Sequence, residues 1–541
     1  MRKVKQLFFL CAFLFLLYPA HVKAQESTDT EGQADIEKIE KQEKSSNANF
    51  NVYANLIGSG GYYFGQSSPK GGVDAWVNAR IDGNFGKTVS YFLDIGVGLV
   101  YAERTNLGTW PIKVGSDEEE VVYTNPWGYF PYTYRSAWGG FVFPLTALQA
   151  NGPTGWPENP SIGFDILSEI SGSAFDGIIE WSIGRNEREV AAVVEGSSLA
   201  LNKFAQPFLG IDMQFNLFPG FSWYALTGML EYYSSKGIYT SPMTFQNGFF
   251  LSMFSFNFRE FIQIDAGSSV IYPKRFELGY LFPFTVPILY KNIGDMDNIG
   301  IFGNIKIQYP GFGFLWFSLF VDEMNFEKEF FTLDREMYAY QAGLQFLLPV
   351  FLSSSITFSY TKIEPYTYTH QKEEVPFYSQ PMEQAYTNHG YGLGYYLPPN
   401  SDEIKLVFDA TITPQIVFNT QFQIIRHGAD YGSSMVDGSS YISELKETER
   451  SSDPALRKYF LHDGAYQWMH IIKAGVGWKL PGLPIPVSLY GEAGALLSYF
   501  TNIEQGKANS GTKYPYSVID TPEYPKSSAI IVKIGIKASL R

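Results

Sequence analysis

Sixteen residues from Tyr123 to Trp138 hold the densest aromatic cluster outside the regular parts of this chain. Flat aromatic faces pack against sugar rings, so Trp127, Tyr129, Tyr132, Tyr134 and Trp138 are the candidate polysaccharide-binding residues. Two other readings stay open: a loop folded into the mouth of a barrel, or an aromatic girdle at a membrane interface. A sparser aromatic set, Tyr366, Tyr368, Phe377, Tyr378, Tyr386, Tyr391, Tyr395 and Tyr396, carries the same alternatives.

Other chemistry is thinner. Asp295, Asp297 and Asn298 offer oxygen donors for calcium, but the glycine and terminal glutamate of a twelve-residue calcium loop are not in place, so capping of a turn is expected. The acidic run Asp117–Glu120 suits a solvated loop tip. After His21 the histidines are His370, His389, His427, His462 and His470, with no Gly-x-Ser-x-Gly element and no paired spacing for zinc. Neither an enzyme, a metal site nor a cofactor is expected. The one cysteine, Cys11, lies in the N-terminal apolar segment, which leaves the rest of the chain without disulfide or thiol chemistry.

The elements that must carry these loops repeat from about Asn51 to Arg541 as stretches of roughly ten residues with every second residue apolar. Val89, Tyr91, Leu93, Ile95, Val97, Leu99 and Tyr101 share one face, with Ser90, Asp94, Gly96 and Gly98 on the other; Ile530, Val532, Ile534 and Ile536 alternate with Lys533, Gly535 and Lys537 near the end. A helix cannot present that period of two. With 51 Gly, 45 Phe and 37 Tyr but 17% charged residues, the composition is that of a transmembrane antiparallel β-barrel. The mean hydropathy of −0.10 fits, because lumen residues dilute the apolar signal.

Residues 1–24, with Arg2, Lys3 and Lys5 before an apolar core from Leu7 to Leu17, read as a cleaved signal peptide. Residues 25–48 read as a polar periplasmic linker or short helix, and 49–541 as the outer-membrane barrel. The formal net charge of −14 becomes −18 once the four basic residues of the leader are removed, which argues against nucleic acid as a partner.

Tight turns are expected at Asn84–Lys87, Phe218–Gly220, Arg259–Glu260, Pro310–Gly313, Pro349–Val350, Thr413–Gln415 and Pro481–Pro484, facing the periplasm, with long loops outside. The longest of those loops is drawn from 103 to 175. Periodicity yields seventeen strands. Because both ends should lie in the periplasm, parity demands an eighteenth, placed at Val190–Leu201 despite its weak alternation. Lumen-facing charges by phase are Asp94, Glu180, Lys306, Asp322, Lys405, Asp409, Lys533 and Lys537.

Three stretches go beyond generic barrel composition: Trp181–Arg185 with Gly196–Asn202 and Ala205–Ile211; Phe276–Pro283 with Gly294–Asn298 and Phe320–Glu323; and Gly392–Gly394 with Pro399–Asp402 and Arg426–Gly428. In this order and spacing they resemble the capsule assembly Wzi family of outer-membrane barrels, over about residues 180–430. The resemblance implies an eighteen-stranded outer-membrane barrel whose relatives bind capsular polysaccharide at the cell surface. Expected partners are then outer-membrane lipid, surface or capsular polysaccharide, and the barrel assembly machinery during biogenesis. A passive or substrate-selective porin is the alternative, and a surface adhesin or purely structural barrel a third reading; the first two differ in whether loops and inward side chains close the lumen.

Overall fold

The computed structural model describes residues 48–64, 71–86, 88–102, 110–114, 118–122, 141–144, 161–231, 246–259, 261–273, 275, 277–289, 297–323, 337–370, 384–388, 391–428, 465–502, 517–520 and 526–540. The expected signal peptide and nearly all of the expected linker lie outside them.

Eighteen strands form the wall. They are β1 (Ala48–Phe64), β2 (Gly71–Phe85), β3 (Val89–Ala102), β4 (Ser161–Ala174), β5 (Ile179–Asn186) and β6 (Phe208–Phe218). Then come β7 (Phe221–Glu231), β8 (Gln246–Phe258), β9 (Ile262–Pro273), β10 (Asn298–Tyr309), β11 (Gly313–Glu323) and β12 (Met337–Leu348). The last six are β13 (Ser353–Ile363), β14 (Ser401–Thr413), β15 (Ile416–Gly428), β16 (Ala465–Leu480), β17 (Val487–Asn502) and β18 (Ser527–Leu540). Each pairs antiparallel with the next, and β18 pairs back onto β1 from Val52↔Leu540 to Phe64↔Ser528. Closure leaves no row of unpaired backbone groups, the condition a sheet must meet to cross a bilayer.

The period of two sets which side chains face out. On β18, Ile530, Val532, Ile534 and Ile536 are exposed on the outer wall, Ile534 at 66%; on β3, Leu93, Ile95 and Val97 do the same while Asp94, Gly96 and Gly98 are buried. Among the described residues no helix is long and apolar enough to span a membrane. Some inward rings lie flat over glycines: a Cβ on Gly98 would sit 2.2 Å from the Trp76 indole, and one on Gly535 would sit 1.8 Å from the Tyr490 ring. Glycine is therefore required at both positions to let the rings reach the wall.

One end of the barrel carries only short reversals. The paired strands reverse at all seven expected places, Lys87 and Glu260 of those turns lying outside the described residues, and an eighth turn, residues 175–178, joins β4 to β5. That eighth turn belongs to a correction. The eighteenth strand is Ser161–Ala174 and not Val190–Leu201, so the first long connection ends at 160. Ile162, Phe164, Ile166 and Ile170 alternate along β4 with Asp165, Leu167, Glu169 and Ser171, but Ser and Gly in the run, and its place after a long loop, hide the pattern. Val190 and Leu201 pair with each other through one isolated bridge inside the barrel. Their segment shows no alternation because it is not a strand of the wall: Val190 and Leu199–Leu201 are buried, whereas residues 191–194 are half-buried and Glu195 is exposed.

Candidate functional site

The aromatic loop residues Trp127, Tyr129, Tyr132, Tyr134 and Trp138 lie outside the described residues, as does Asp295. What the structure defines is a plug inside the barrel, built from two long-loop-end connections: residues 187–207, and residues 364–370, 384–388 and 391–400.

The first connection is wired to itself by short polar side chains. Ser197 Oγ accepts the N–H groups of Val193 and Val194 at 3.0 and 3.1 Å. The Ser198 hydroxyl donates to the Val190 carbonyl and accepts the N–H groups of Ala200 and Leu201, both at 3.1 Å. Asn202 Nδ2 donates to the carbonyls of Gly196 and Ser198 at 3.0 and 2.9 Å. Gly196 takes φ +76°, a conformation other residues adopt at a cost, while its N–H donates to Glu189 at 2.8 Å. Burial holds the Glu189 carboxyl above the usual carboxylate range, against that hydrogen bond. With their polar groups satisfied locally, Leu199, Ala200 and Leu201 can be buried without an orphaned backbone.

Arg188 fastens this connection to the wall. Its guanidinium donates to both oxygens of Asp212 on β6, at 2.9–3.0 Å, and to the carbonyls of Phe208 at 2.7 Å and Gly184 at 3.0 Å. The Tyr224 hydroxyl of β7 also donates to Asp212, at 2.5 Å. From β10, Asn304 Nδ2 donates to the Ala191 carbonyl at 2.6 Å.

The second connection is anchored by Asp322 at the end of β11, which accepts the N–H of Tyr368 at 2.6 Å. Tyr368 has φ +69° and its ring packs beside Phe320 and Tyr386, with Gly394 beneath it. Further along, the hydroxyls of Tyr395 and Tyr396 both donate to the buried carboxylate of Glu403 at the start of β14, and Gln423 donates to it from β15.

The two connections then join. Tyr368 donates its hydroxyl to the Leu199 carbonyl at 2.7 Å, the Asn202 N–H donates to the Leu393 carbonyl at 2.8 Å, and Asn388 Nδ2 donates to the Gln206 carbonyl at 3.1 Å. Around this seam lie Tyr368, Tyr386, Leu393 and Leu397, packed on inward apolar residues such as Leu226, Phe249, Ile271, Phe320, Ile425 and Leu496 from β7 to β17. An inward apolar row is wrong for a wall that faces water alone; it is the matching half of a hydrophobic core.

The phase-derived charges divide into groups. Asp322 serves the plug. Lys405 lies over the Tyr396 ring beneath it, and the charges of Glu403, Lys203, Glu189 and Glu195 act on it. Lys533 sits directly across from Glu492, which pairs with Lys473 at 3.9 Å, a lysine the sequence reading missed. Asp94 lies opposite Arg80 in register, and the charges of Arg80 and Lys537 both act on it; Lys537 lies over the Tyr53 ring. Nearer the short-turn end, Lys306 covers the Phe314 ring, Asp409 accepts Asn419 Nδ2 at 2.5 Å, and Glu180 is exposed beside Asn216.

The calcium candidates are pulled apart. Asp297 accepts Arg275 at 2.7 Å and the Tyr280 hydroxyl at 2.9 Å, whereas the Asn298 amide donates to the Gln384 carbonyl in the plug at 2.9 Å. Among the described residues no group of three or more His, Cys, Asp or Glu is placed to hold a metal. Of the histidines, His427 is buried against the Ser401 hydroxyl at 2.6 Å and His470 stacks on Trp468 and Tyr499, so neither Ser401 nor His427 is reachable by a substrate in this packing.

What the sequence reading left open, then, is whether the lumen is plugged and by which residues, and a signal for it exists. Apolar neighbours such as Phe249-Phe250-Leu251, Ile424-Ile425, Ile471-Ile472 and Leu496-Leu497 put apolar residues on both faces of a strand, which requires protein on the inside as well as lipid on the outside.

No family model matches the chain, and no curated protein does. Among solved structures it is similar to Wzi, an outer-membrane protein involved in group 1 capsule assembly in Escherichia coli and described as a carbohydrate-binding β-barrel, with TM-score 0.45 and 11% identity over 95% of this chain and 89% of that one. It is also similar to OccAB2 of Acinetobacter baumannii, with TM-score 0.44 and 9% identity over 91% of this chain and 98% of that one. For OprD of Pseudomonas aeruginosa the values are 0.41 and 8%, over 91% and 96%. The chain is a closed eighteen-stranded antiparallel β-barrel on its own strand pairing, and likeness at this level says nothing of what it does.

Proposed function

We propose that this protein is an outer-membrane barrel that associates with surface polysaccharide, in the manner of the Wzi family its motifs resemble, and does not act as an open pore. The observation that supports this reading is the plug: two connections sharing one buried apolar seam inside a barrel whose diameter would otherwise admit solute. Gly196–Asn202, Ala205–Ile211 and Gly392–Gly394 of the resembling stretches contribute to that seam, so these motifs and the plug belong to one device. The long loops at the same end, including Trp127, Tyr129, Tyr132, Tyr134 and Trp138, supply the sugar-stacking platform. Residues 1–24 direct export, residues 25–48 are a polar periplasmic linker or short helix, and the barrel assembly machinery inserts the barrel.

A substrate-selective channel is the second reading, and a specific observation favours it: Lys533, Lys537, Arg80 and Asp94 line an arc from β18 to β3 that contributes nothing to the apolar seam. Planar-bilayer recording of the folded full chain, followed by addition of capsular polysaccharide to the long-loop side, separates the two. A silent barrel that retains labelled polysaccharide supports the first; steady open steps with no polysaccharide retention overturn it.

A further inference from the structure

The connection between β9 and β10 takes a different course from those of the plug: residues 277–289 lie on the outer wall. From the long-loop end the segment enters a 3-10 turn at Leu278–Leu281. There the Tyr280 ring packs on Phe250 and Tyr272, and its carbonyl accepts the Thr227 hydroxyl at 2.9 Å. Further down, Pro283 offers its carbonyl to Trp223 Nε1 at 2.9 Å, and Phe284 packs on Phe215 and Trp223. Trp223 is the third residue of β7 after the short turn, so the strap descends much of the wall.

Most of the residues beneath it are buried although they belong to the outward phase, Thr227 being half-buried. Ala225, Ser252 and Ser268 lie side by side in register, as do Thr227, Phe250 and Val270. Phe250 and Val270 are fully buried and Ser252 and Ser268 are 1% exposed, while Phe254 and Ile264 on the same strands and phase are each 38% exposed. Serines at mid-strand would be out of place against acyl chains; the strap covers them.

An irregular segment in hydrocarbon is unstable unless its backbone polar groups are paired. This one meets part of that requirement from its own sequence, Leu-Gly-Tyr-Leu-Phe-Pro-Phe-Thr-Val-Pro-Ile-Leu from 278 to 289, which carries no charge. Pro283 and Pro287 have no N–H to satisfy. The N–H groups of Tyr280, Thr285 and Leu289 donate to Glu277, Phe282 and Val286 at 3.2, 3.0 and 2.9 Å, and the Thr285 hydroxyl donates to the Gly279 carbonyl at 2.5 Å. The carbonyls of Tyr280 and Pro283 are taken by the wall. Its remaining surface is apolar and exposed, with Leu278, Leu281, Phe282, Ile288 and Leu289 all more than 40% accessible, Leu289 at 81%. The charged residues Arg275, Glu277 and Asp297 sit only at the strap's upper end, joined to one another.

From this geometry we infer that residues 277–289 are a membrane-embedded strap whose exposed face contacts lipid acyl chains, replacing the bare sheet as the lipid surface over β6 to β9. The exposed apolar rows of Leu209, Ile211 and Met229 on one flank and Ile305 and Ile307 on the other continue that surface without a break in chemistry. The inference is independent of what the plug does.

Site-directed spin labelling tests it. In a Cys11→Ser background, Leu289→Cys and Phe282→Cys carry a nitroxide, with Ile534→Cys as a bilayer-facing reference, each folded into phosphatidylcholine vesicles and checked by heat-modifiable gel mobility. The expected result is relaxation by dissolved oxygen with loss of relaxation by a water-soluble nickel chelate, as at Ile534. Relaxation by nickel would place the strap in water and overturn the inference. Protection from both reagents would mean that a second copy or another protein covers it, and would overturn it equally.

Discussion

Replacing Arg188 by methionine should release the first half of the plug from the wall. The Arg188 side chain is 4% exposed and that of Asp212 15%, and the guanidinium satisfies that carboxylate together with the carbonyls of Gly184 and Phe208. Methionine keeps much of the apolar stem but leaves the Asp212 charge and two carbonyls without this donor. Removing one partner of a buried ion pair costs about 3–5 kcal/mol, and since Asp212 keeps Tyr224 and Ser182 as donors the lower value, about 3 kcal/mol, is expected. At about 1.4 kcal/mol per decade, the ratio of undocked to docked plug rises by about two orders of magnitude. Single-channel recording should show brief openings in Arg188→Met that are rare in the parent, and urea should unfold the variant earlier. Adding Asp212→Asn to the same chain removes the uncompensated charge and should return part of the loss in both assays. If Arg188→Met stays silent with an unchanged urea midpoint, the guanidinium does not hold the plug and the docking argument fails.

Three further outcomes are expected. Ser198→Ala removes the hydroxyl that bridges the Val190 carbonyl and the N–H groups of Ala200 and Leu201, at a cost of about 1–3 kcal/mol; limited proteolysis should cut within 187–207 faster while the barrel keeps its heat-modifiable mobility, and an unchanged rate would count against a locally wired plug. Gly535→Val drives a side chain into the Tyr490 ring and should destabilise the barrel by about 1–3 kcal/mol in urea, with Tyr490→Ala in the same chain recovering part of it; no recovery would show that the contact is not the cause. Ile534→Lys, on the outer wall at mid-strand, should cost about 2–4 kcal/mol, whereas Lys533→Ile, one residue away on the inner phase, should cost much less; equal effects would refute the assigned phase.

Much of the barrel was determined by local sequence. Side chains on a strand alternate with period two, so Val89–Ala102 and Ser527–Leu540 declare their inner and outer faces without reference to any other part of the chain. Tight turns favour Gly, Pro or Asn, which mark six of the seven reversals that could be located, Arg259–Glu260 being the exception, and the parity of a barrel with both ends on one side required the eighteenth strand. Its position was legible too, in the alternation of Ile162, Phe164, Ile166 and Ile170, but serine and glycine weaken the apolar contrast on which such a reading depends.

Tertiary structure decided where the long connections go. Whether Leu199 and Tyr368 meet is a property of two segments 169 residues apart, and nothing in the neighbourhood of either one encodes the other. The motif residues Gly196–Asn202 and Gly392–Gly394 could be recognised as unusual, yet only the folded barrel brings them to a common seam. The same holds for the strap: Leu-Phe-Pro-Phe reads equally as an exposed loop or a buried one, until closure of the sheet sets Thr227, Phe250 and Val270 in one row and gives Tyr280 and Phe284 a wall to pack against. Alternation is local because it follows from the geometry of one strand, whereas the destination of a loop depends on surfaces that exist only after eighteen strands have paired.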